Sequence, residues 1–94
     1  MIFRAEVFVT LKPVVNDPQG STIRSGLHSI GFDTVREVRS GKYLVLTIEG
    51  ADEAIARARV EEMAREVLAN PVIEDYRVRL EPVATAASAG ERRA

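Results

Sequence analysis

Residues 9–32 read VTLKPVVNDPQGSTIRSGLHSIGF and contain a strand end, a helix and the signals that separate them. Asp17 is placed to cap the helix, and Pro18 follows at the first helical position, where its missing N–H is harmless. The apolar residues that recur at the spacing of one helix face are Ile23, Leu27 and Ile30. Gly31 is placed as the left-handed residue of a Schellman end. The stretch therefore predicts a helix over residues 18–30.

A strand precedes this helix, over residues 2–11. Apolar and polar residues alternate along it, so that one face carries Phe3, Ala5, Val7, Val9 and Leu11. Pro13 then ends the strand, because proline cannot donate a hydrogen bond to an interior ladder. We expect this strand to be at least half-buried.

A β-hairpin is predicted after the helix. Thr34–Arg39 is a short, charged candidate strand, and Ser40–Lys42 is a tight turn. Tyr43–Glu49 has the highest β propensity in the chain, because it is β-branched, aromatic and apolar on both faces. We expect Gly41 to supply the positive φ that the tight turn requires.

A second helix and a last strand complete the pattern. The helix is predicted over residues 52–69, and its apolar stripe consists of Ala56, Val60, Met63, Ala64, Val67 and Leu68. The strand is predicted over residues 72–82. Its inward residues are Tyr76, Val78 and Leu80. From Val83 the sequence has no pattern, so we expect a domain over residues 1–82 and a disordered tail over residues 83–94.

The order strand, helix, strand, strand, helix, strand predicts an α+β fold of the ferredoxin-like type. In that βαββαβ arrangement, a four-stranded antiparallel sheet carries both helices on one face. A monomer of two layers would leave one apolar face of Tyr43–Glu49 in water. We therefore expect sheet faces of different copies to pack together, and the interface candidates are Tyr43, Val45 and Thr47.

Composition excludes several kinds of catalytic site. The chain has no cysteine, which excludes disulfides, thiolate zinc sites and cysteine nucleophiles. His28 is the single histidine and lies beside the apolar helix stripe, so we expect it to make a local contact rather than act as a base or a metal ligand. The carboxylate of Asp17 would repel a phosphate group at the start of the first helix. We predict no catalytic, cofactor-binding or metal-binding residue in this chain.

Net charge and hydropathy limit the classes of partner and the cellular locations that we expect for this chain. The net charge is −1 and there is no block of five like charges, so nothing favours nucleic acid or an anionic membrane as a partner. There is no positively charged leader before an apolar core, and no apolar run approaches the ~18 residues of a membrane span. We expect a cytoplasmic protein.

Three phrases of the sequence resemble one known family. They are VTLK…DPQG over residues 9–20, LHSIGF…GKY over residues 27–43, and LANPVIEDY over residues 68–76. Together they resemble the PurS family, the small subunits of phosphoribosylformylglycinamidine synthase, over nearly the whole chain except the tail. The resemblance implies an accessory subunit of purine biosynthesis that performs no chemistry of its own.

The same resemblance implies the partners. Members of the family associate with themselves as dimers or tetramers and bridge a glutaminase subunit (PurQ-like) to an ATP-dependent synthetase subunit (PurL-like). Ammonia from glutamine can then pass between them as formylglycinamide ribonucleotide is converted to formylglycinamidine ribonucleotide. The synthetase uses ATP and magnesium, and the chain itself is expected to bind no cofactor.

Polar residues around the loop of residues 12–19, the elbow, are candidates for contact with these partners. Lys12, Asn16 and Gln19 are expected to point outward from a rigid loop, as docking residues do, although plain solvation accounts for them equally well. Arg39 is the fourth candidate.

Two other functions remain open. An ACT-like regulatory module, which binds small ligands such as amino acids, has the same order of strands and helices. It uses a glycine-bearing turn after its first strand, whereas residues 11–19 read LKPVVNDPQ. An acylphosphatase-like hydrolase would need a glycine-rich anion cradle with an arginine in the same loop, which the elbow does not provide.

Overall fold

Residues 1–83 of the 94-residue chain are described by a computed structural model. The elements in chain order are β1 (Ile2–Leu11), α1 (Pro18–Ser29), β2 (Gly41–Glu49), α2 (Glu53–Met63), a π-helical turn (Ala64–Leu68) and β3 (Glu74–Val83). The predicted tail, apart from Val83, lies outside the described residues. Within residues 1–83, neither helix has the length and hydrophobicity that a membrane crossing requires.

The strands form one antiparallel sheet in the order β2-β1-β3. β1 lies at the centre, which suits the strand with the most complete apolar face. On that face Val7 lies opposite both Leu44 and Val78. The predicted α+β class with two helices is confirmed, but the sheet has three strands rather than four.

The core lies between the inner face of the sheet and α2. β1 contributes the fully buried residues Phe3, Ala5, Val7 and Val9. The helix and its π-helical turn contribute Ala56, Val60 and Ala64. The small alanine side chains let the helix backbone approach the sheet closely. Burial of each large apolar side chain stabilises the fold by about 1.5–3 kcal/mol.

The predicted hairpin is wrong, because Thr34–Arg39 forms no strand and β2 pairs with β1 instead. Two carbonyl groups of the segment face α1. The Val35 carbonyl accepts a hydrogen bond from His28 Nε2 at 2.7 Å, and the Val38 carbonyl lies against Gly20. These contacts hold the segment beside the helix rather than in the sheet.

Gly41 has a different role from the predicted one. Within residues 1–83 the one positive φ is at Gly31, at 104°, so the prediction for Gly31 is confirmed and that for Gly41 is wrong. Gly41 begins β2, where a Cβ atom would lie 2.4 Å from the carbonyl oxygen of Val9. Glycine is therefore required there by the close approach of β1.

α1 has the predicted ends but not the predicted position. The Gly20 N–H donates to Asp17 Oδ1 at 2.9 Å, and the Phe32 N–H donates to the Leu27 carbonyl at 3.0 Å, as in a Schellman end. Gly20 is the only buried residue of the helix, and α1 makes no extensive contact with the strands. The prediction that both helices cover one face of the sheet is therefore wrong for α1.

The apolar stripe of α2 departs from its prediction near the end of the helix. The residues of the stripe that face the sheet are Ala56, Val60, Ala64 and, in part, Leu68. Val67 is 79% exposed and Met63 is also exposed. The Ala69 N–H donates to the Ala64 carbonyl at 2.8 Å, a bond that spans five residues and widens the last turn. This wider turn buries Ala69 in place of Val67.

β3 begins two residues later than predicted and ends one residue later, at Val83, which lies opposite Ile2. Its inward residues are Tyr76, Val78 and Leu80, as predicted. The strand therefore includes the first residue of the segment that was predicted to be a tail.

Candidate functional site

The residues singled out by the sequence can be located within residues 1–83 of the structure. No group of three or more histidine, aspartate or glutamate side chains within residues 1–83 is placed to hold a metal ion. His28 is half-buried, and its Nε2 is occupied by the Val35 carbonyl, which is the local contact that the sequence predicted. The residues that the sequence predicted for contact with other chains lie on two surfaces, namely the elbow and the outer face of the sheet.

Asp17 organises the elbow. Asp17 is 4% exposed, and its carboxylate accepts hydrogen bonds from the Ser40 N–H at 2.6 Å, the Gly20 N–H at 2.9 Å and the Ser40 hydroxyl at 3.0 Å. The Ser40 amide, followed by the Gly20 amide, lowers the pKa of the Asp17 carboxyl below its ordinary value. Asp17 therefore joins the start of α1 to the start of β2, a role beyond the helix cap that the sequence predicted.

Two of the four predicted partner-contact residues have structural contacts. Arg39 Nη2 donates to the carbonyls of Lys12 and Val15, at 2.9 and 2.7 Å, and so holds the elbow closed. Lys12 Nζ donates to Asp75 Oδ1 at 2.9 Å, which ties the elbow to β3.

Asn16 and Gln19 are the other two candidates, and both are exposed. Their side chains make no hydrogen bond to any other residue in the part of the chain that is described. These two residues are therefore the elbow side chains that are presented to solvent without an evident structural role.

The outer face of the sheet carries the three predicted oligomer-interface residues. Tyr43, Val45 and Thr47 are exposed and share this face. The register places them opposite Phe8, Glu6 and Arg4 of β1, respectively. The face thus combines aromatic, aliphatic and charged side chains in adjacent rows.

Glu6 lies at the centre of this face and is only 7% exposed. Its Oε2 accepts a hydrogen bond from the Tyr43 hydroxyl and lies 3.5 Å from Arg4 Nη1. Arg79 Nε lies 3.0 Å from Glu6 Oε1, but the two groups are not aligned for a hydrogen bond. The contact between Glu6 and Arg79 is therefore electrostatic.

The contacts of Glu6 change its own pKa and the pKa of Tyr43. The hydrogen bond from Tyr43, followed by the charges of Arg79 and Arg4, lowers the pKa of Glu6, while burial opposes that change. The same hydrogen bond raises the pKa of Tyr43. Glu6 is therefore an ionised carboxylate at neutral pH, and its contacts span the three strands. Strand alternation placed Glu6 outward but could not identify Tyr43 and Arg79 as its neighbours.

An aromatic cluster borders this charged network. The rings of Phe8 and Tyr43 lie 5.2 Å apart between centroids, and the guanidinium carbon of Arg77 lies 4.6 Å from the Phe8 ring centroid. Tyrosine, phenylalanine and arginine are enriched in protein interfaces. The outer face therefore suits contact with another protein.

Residues 4–82 match the family model described as PurS, phosphoribosylformylglycinamidine (FGAM) synthase. The chain is similar to the synthase subunit PurS of Bacillus subtilis, at 46% identity over 82 residues, which cover 87% of this chain and 96% of that protein. It is also similar to the PurS subunit of Methanocaldococcus jannaschii, at 39% identity over 82 residues, which cover 87% and 99% of the two chains.

Solved structures are similar over the same part of the chain. The structure of B. subtilis PurS superposes with a TM-score of 0.77 and covers 85% of this chain and 99% of that one. A chain in the structure of PurLQS from Thermotoga maritima has a TM-score of 0.80 at 32% identity, with 86% and 99% covered.

Proposed function

Because this chain belongs to the PurS family of phosphoribosylformylglycinamidine synthase subunits, we propose that it serves that synthase as a small, non-catalytic bridging subunit. The resemblance predicted from the sequence is confirmed by the match over residues 4–82. The single observation that carries the proposal is the similarity to a chain of the PurLQS complex, which covers 99% of that chain.

The bridge joins a glutaminase subunit to an ATP-dependent synthetase subunit. Ammonia that escapes into water is diluted and largely protonated at neutral pH, and only the neutral form is a nucleophile. A bridge that holds the two sites together keeps the effective concentration of ammonia high at the synthetase. ATP and magnesium belong to the synthetase in this proposal, and the complex works in the cytoplasm.

The elbow and the outer face of the sheet supply the contacts in this proposal. Asn16 and Gln19 are the elbow residues presented to partners, while Lys12 and Arg39 fix the shape that presents them. On the outer face, Tyr43, Val45 and Thr47 contact a second copy, in a dimer or a tetramer. The ACT-like alternative is not favoured, because the curated relatives are named as PurS subunits.

The bridging role is tested by comparing two nitrogen sources. With the synthetase and glutaminase subunits, the chain is expected to be required for turnover with glutamine and dispensable with excess ammonium salt. Equal dependence on the chain for both nitrogen sources would contradict a bridge and favour a role in completing the synthetase site. The chain alone is expected to hydrolyse neither glutamine nor ATP.

The elbow is tested by a double substitution. Asn16→Ala with Gln19→Ala is expected to lower glutamine-dependent turnover several-fold and to leave ammonia-dependent turnover and the melting temperature unchanged. Glu62→Ala, an exposed site on α2, is the matched control and is expected to change neither rate. Unchanged glutamine-dependent turnover in the double variant would remove the elbow from the docking surface.

A further inference from the structure

Two turns of the same kind lie at the end of the sheet where β1 stops and β3 begins. We call them the turn pair, residues 12–15 and residues 70–73. In each turn the N–H of the fourth residue donates to the carbonyl of the first, at 2.9 Å in the first turn and 3.1 Å in the second. Both are therefore β-turns closed by a hydrogen bond.

Further hydrogen bonds join the two turns into one unit. The Lys12 N–H donates to the Ile73 carbonyl at 2.8 Å, which continues the ladder beyond the ends of β1 and β3. Lys12 Nζ also donates to Asp75 Oδ1 at 2.9 Å. Within the second turn, the Val72 N–H donates to Asn70 Oδ1 at 3.1 Å, as in an Asx turn. The backbone of the turn pair is therefore fixed by the chain itself.

Both turns carry proline at the second position and valine at the third. Pro13 and Pro71 restrict φ to about −65°, which is the conformation that the second position of a β-turn requires. Val14 is 93% exposed and Val72 is 79% exposed. Valine favours strands, whereas glycine, proline, asparagine, aspartate and serine are the residues that dominate turns. A departure from local preference of this kind is expected at a functional site.

The charged side chains beside the turn pair have partners within the chain. Lys12 binds Asp75, and Glu74 Oε1 accepts a hydrogen bond from the Asn70 N–H at 2.7 Å. Arg39 donates to two carbonyls of the first turn. The side chains that the turn pair leaves to a partner are therefore its apolar ones.

An uncharged recess on a different protein is the surface that suits these two valines. Cavities within residues 1–83 contain charged side chains, namely Lys42 and Glu74 beside the elbow, Arg59 and Glu62 on α2, and Arg24 and Arg36 along α1. Seating a valine there would remove water from charged groups without replacing its hydrogen bonds, which is unfavourable. A second copy of the chain therefore fits the turn pair poorly at these cavities.

We propose that the turn pair inserts Val14 and Val72 into an uncharged, apolar recess of a partner subunit of the synthase. This inference rests on the proposed bridging function, and it assigns the docking energy to two valines rather than to polar side chains alone. Because the turns are fixed before binding, association does not have to order them, and little conformational entropy is lost. Burial of the two valines then stabilises the complex.

Binding of the labelled full-length chain to a mixture of the synthetase and glutaminase subunits tests the proposal. Val14→Asn with Val72→Asn is expected to raise the Kd by about tenfold or more, because the amides would lose water in an apolar recess. Ile55→Asn is the matched control, since Ile55 is an aliphatic residue that is 48% exposed at the opposite end of the sheet, and its Kd is expected to stay unchanged. Equal Kd values for the double variant and the natural chain would overturn the proposal.

Ionic strength gives an independent test. The ratio of the Kd of the double variant to that of the natural chain is expected to be the same at about 50 mM and at about 500 mM sodium chloride, because salt screens charges and not apolar contacts. A ratio that falls to one at high salt would mean that the substitutions act through charged neighbours, and it would overturn the proposal.

Melting temperature and mass exclude two other roles for the valines. The double variant is expected to melt no lower than the natural chain, since asparagine suits a turn better than valine does. A lower melting temperature would mean that the valines serve the fold. The mass measured by light scattering is also expected to stay unchanged, and a lower mass would mean that the turn pair seats in a second copy. Either result would overturn the proposal.

Failure of this inference differs from failure of the bridging function. Tight binding that is equal for the natural chain and the double variant would contradict the turn pair alone. No binding of the natural chain to either partner subunit would contradict the bridging function, and the turn pair with it.

Discussion

At the scale of single residues, two buried carboxylates stabilise this chain in different ways. Asp17 connects α1 to β2 through backbone amides, and Glu6 connects the three strands through Tyr43 and two arginines. The folded protein lowers the pKa of both carboxyl groups. Each therefore contributes stability that is present above the unfolded pKa, near 4. That stability is lost as the pH falls through the lower folded pKa.

Tyr43→Phe is expected to weaken the dependence of stability on acid pH. The hydroxyl of Tyr43 is the main cause of the lowered pKa of Glu6, so its removal brings the folded pKa of Glu6 closer to the unfolded one. The free energy of unfolding at pH 7 should be lower than in the natural protein. The further decrease of that free energy between about pH 5 and pH 3 should be smaller than in the natural protein. Urea unfolding at these three pH values measures both changes.

Tyr76→Phe is the matched control for this prediction, since Tyr76 packs against the core on the other face of the sheet. It is expected to keep the pH dependence of the natural protein. The same pH dependence in both variants would show that Tyr43 does not set the ionisation of Glu6.

Gly31→Val is expected to destabilise the fold by about 1–2 kcal/mol, because a β-branched residue is strained at positive φ. Gly31 has φ 104°, and a Cβ atom there would meet nothing within 4 Å, so the cost isolates the backbone conformation. Thermal unfolding measures it. An unchanged melting temperature would mean that Gly31 is not needed as the left-handed cap.

At the scale of elements, α1 is a well-capped helix whose stability is limited by glycine. Gly20 and Gly26 both lie within it, but their surroundings differ. A Cβ atom on Gly26 would meet nothing within 4 Å, whereas one on Gly20 would collide with the carbonyl of Val38. A substitution at Gly26 therefore tests helix propensity alone, whereas a substitution at Gly20 also tests close packing.

Gly26→Ala is expected to stabilise α1 by about 1 kcal/mol, because alanine has the higher helix propensity and no neighbour opposes its methyl group. Gly20→Ala adds the same methyl group and is expected to destabilise the packing of α1 against the segment that contains Val38, since that segment must move. Hydrogen exchange of the α1 amides measures both effects. Equal changes in protection would contradict the close contact between Gly20 and Val38.

At the scale of the whole molecule, the described chain leaves two kinds of surface without a partner. The outer face has an aromatic and charged character, and the inner side of β2 has an aliphatic one. Alternation along β2 divides its residues between them, with Tyr43 and Val45 on one side and Leu44 and Leu46 on the other. A strand that is apolar on both faces is suited to a chain that assembles with other chains.

Light scattering at micromolar concentration is expected to give a mass above the 10.3 kDa of one chain. Val45→Lys should reduce that mass by placing a charge in the outer-face interface, while Glu62→Lys on the exposed side of α2 should not. Val45 is 49% exposed, so the lysine is expected to leave the single-chain fold intact. A natural protein of 10.3 kDa in solution would contradict self-association altogether.

Features that depend on residues close together in the chain could be predicted from the amino-acid sequence. Asp17 and Gly31 as the ends of α1, the alternation of β1 and the inward residues of β3 could be predicted, because each rests on backbone geometry within a few residues. The three phrases between Val9 and Tyr76 also identified the family. Lys12 and Asn16 could both be proposed as contact residues. The sequence pattern did not show that Lys12 is bound to Asp75 and that Asn16 makes no hydrogen bond within the described residues.

The pairing of distant segments could not be predicted, because it depends on the fold of the whole chain. Thr34–Arg39 has a strand-like sequence, yet its carbonyls face α1, since strand formation depends on the partner available as much as on the segment itself. The contacts of Asp17 with Ser40 and of Glu6 with Tyr43 join residues 23 and 37 positions apart, and no local pattern encodes them. The placement of α1 away from the sheet could not be predicted for the same reason. An apolar helix face indicates that the helix packs against another surface, but it does not identify that surface.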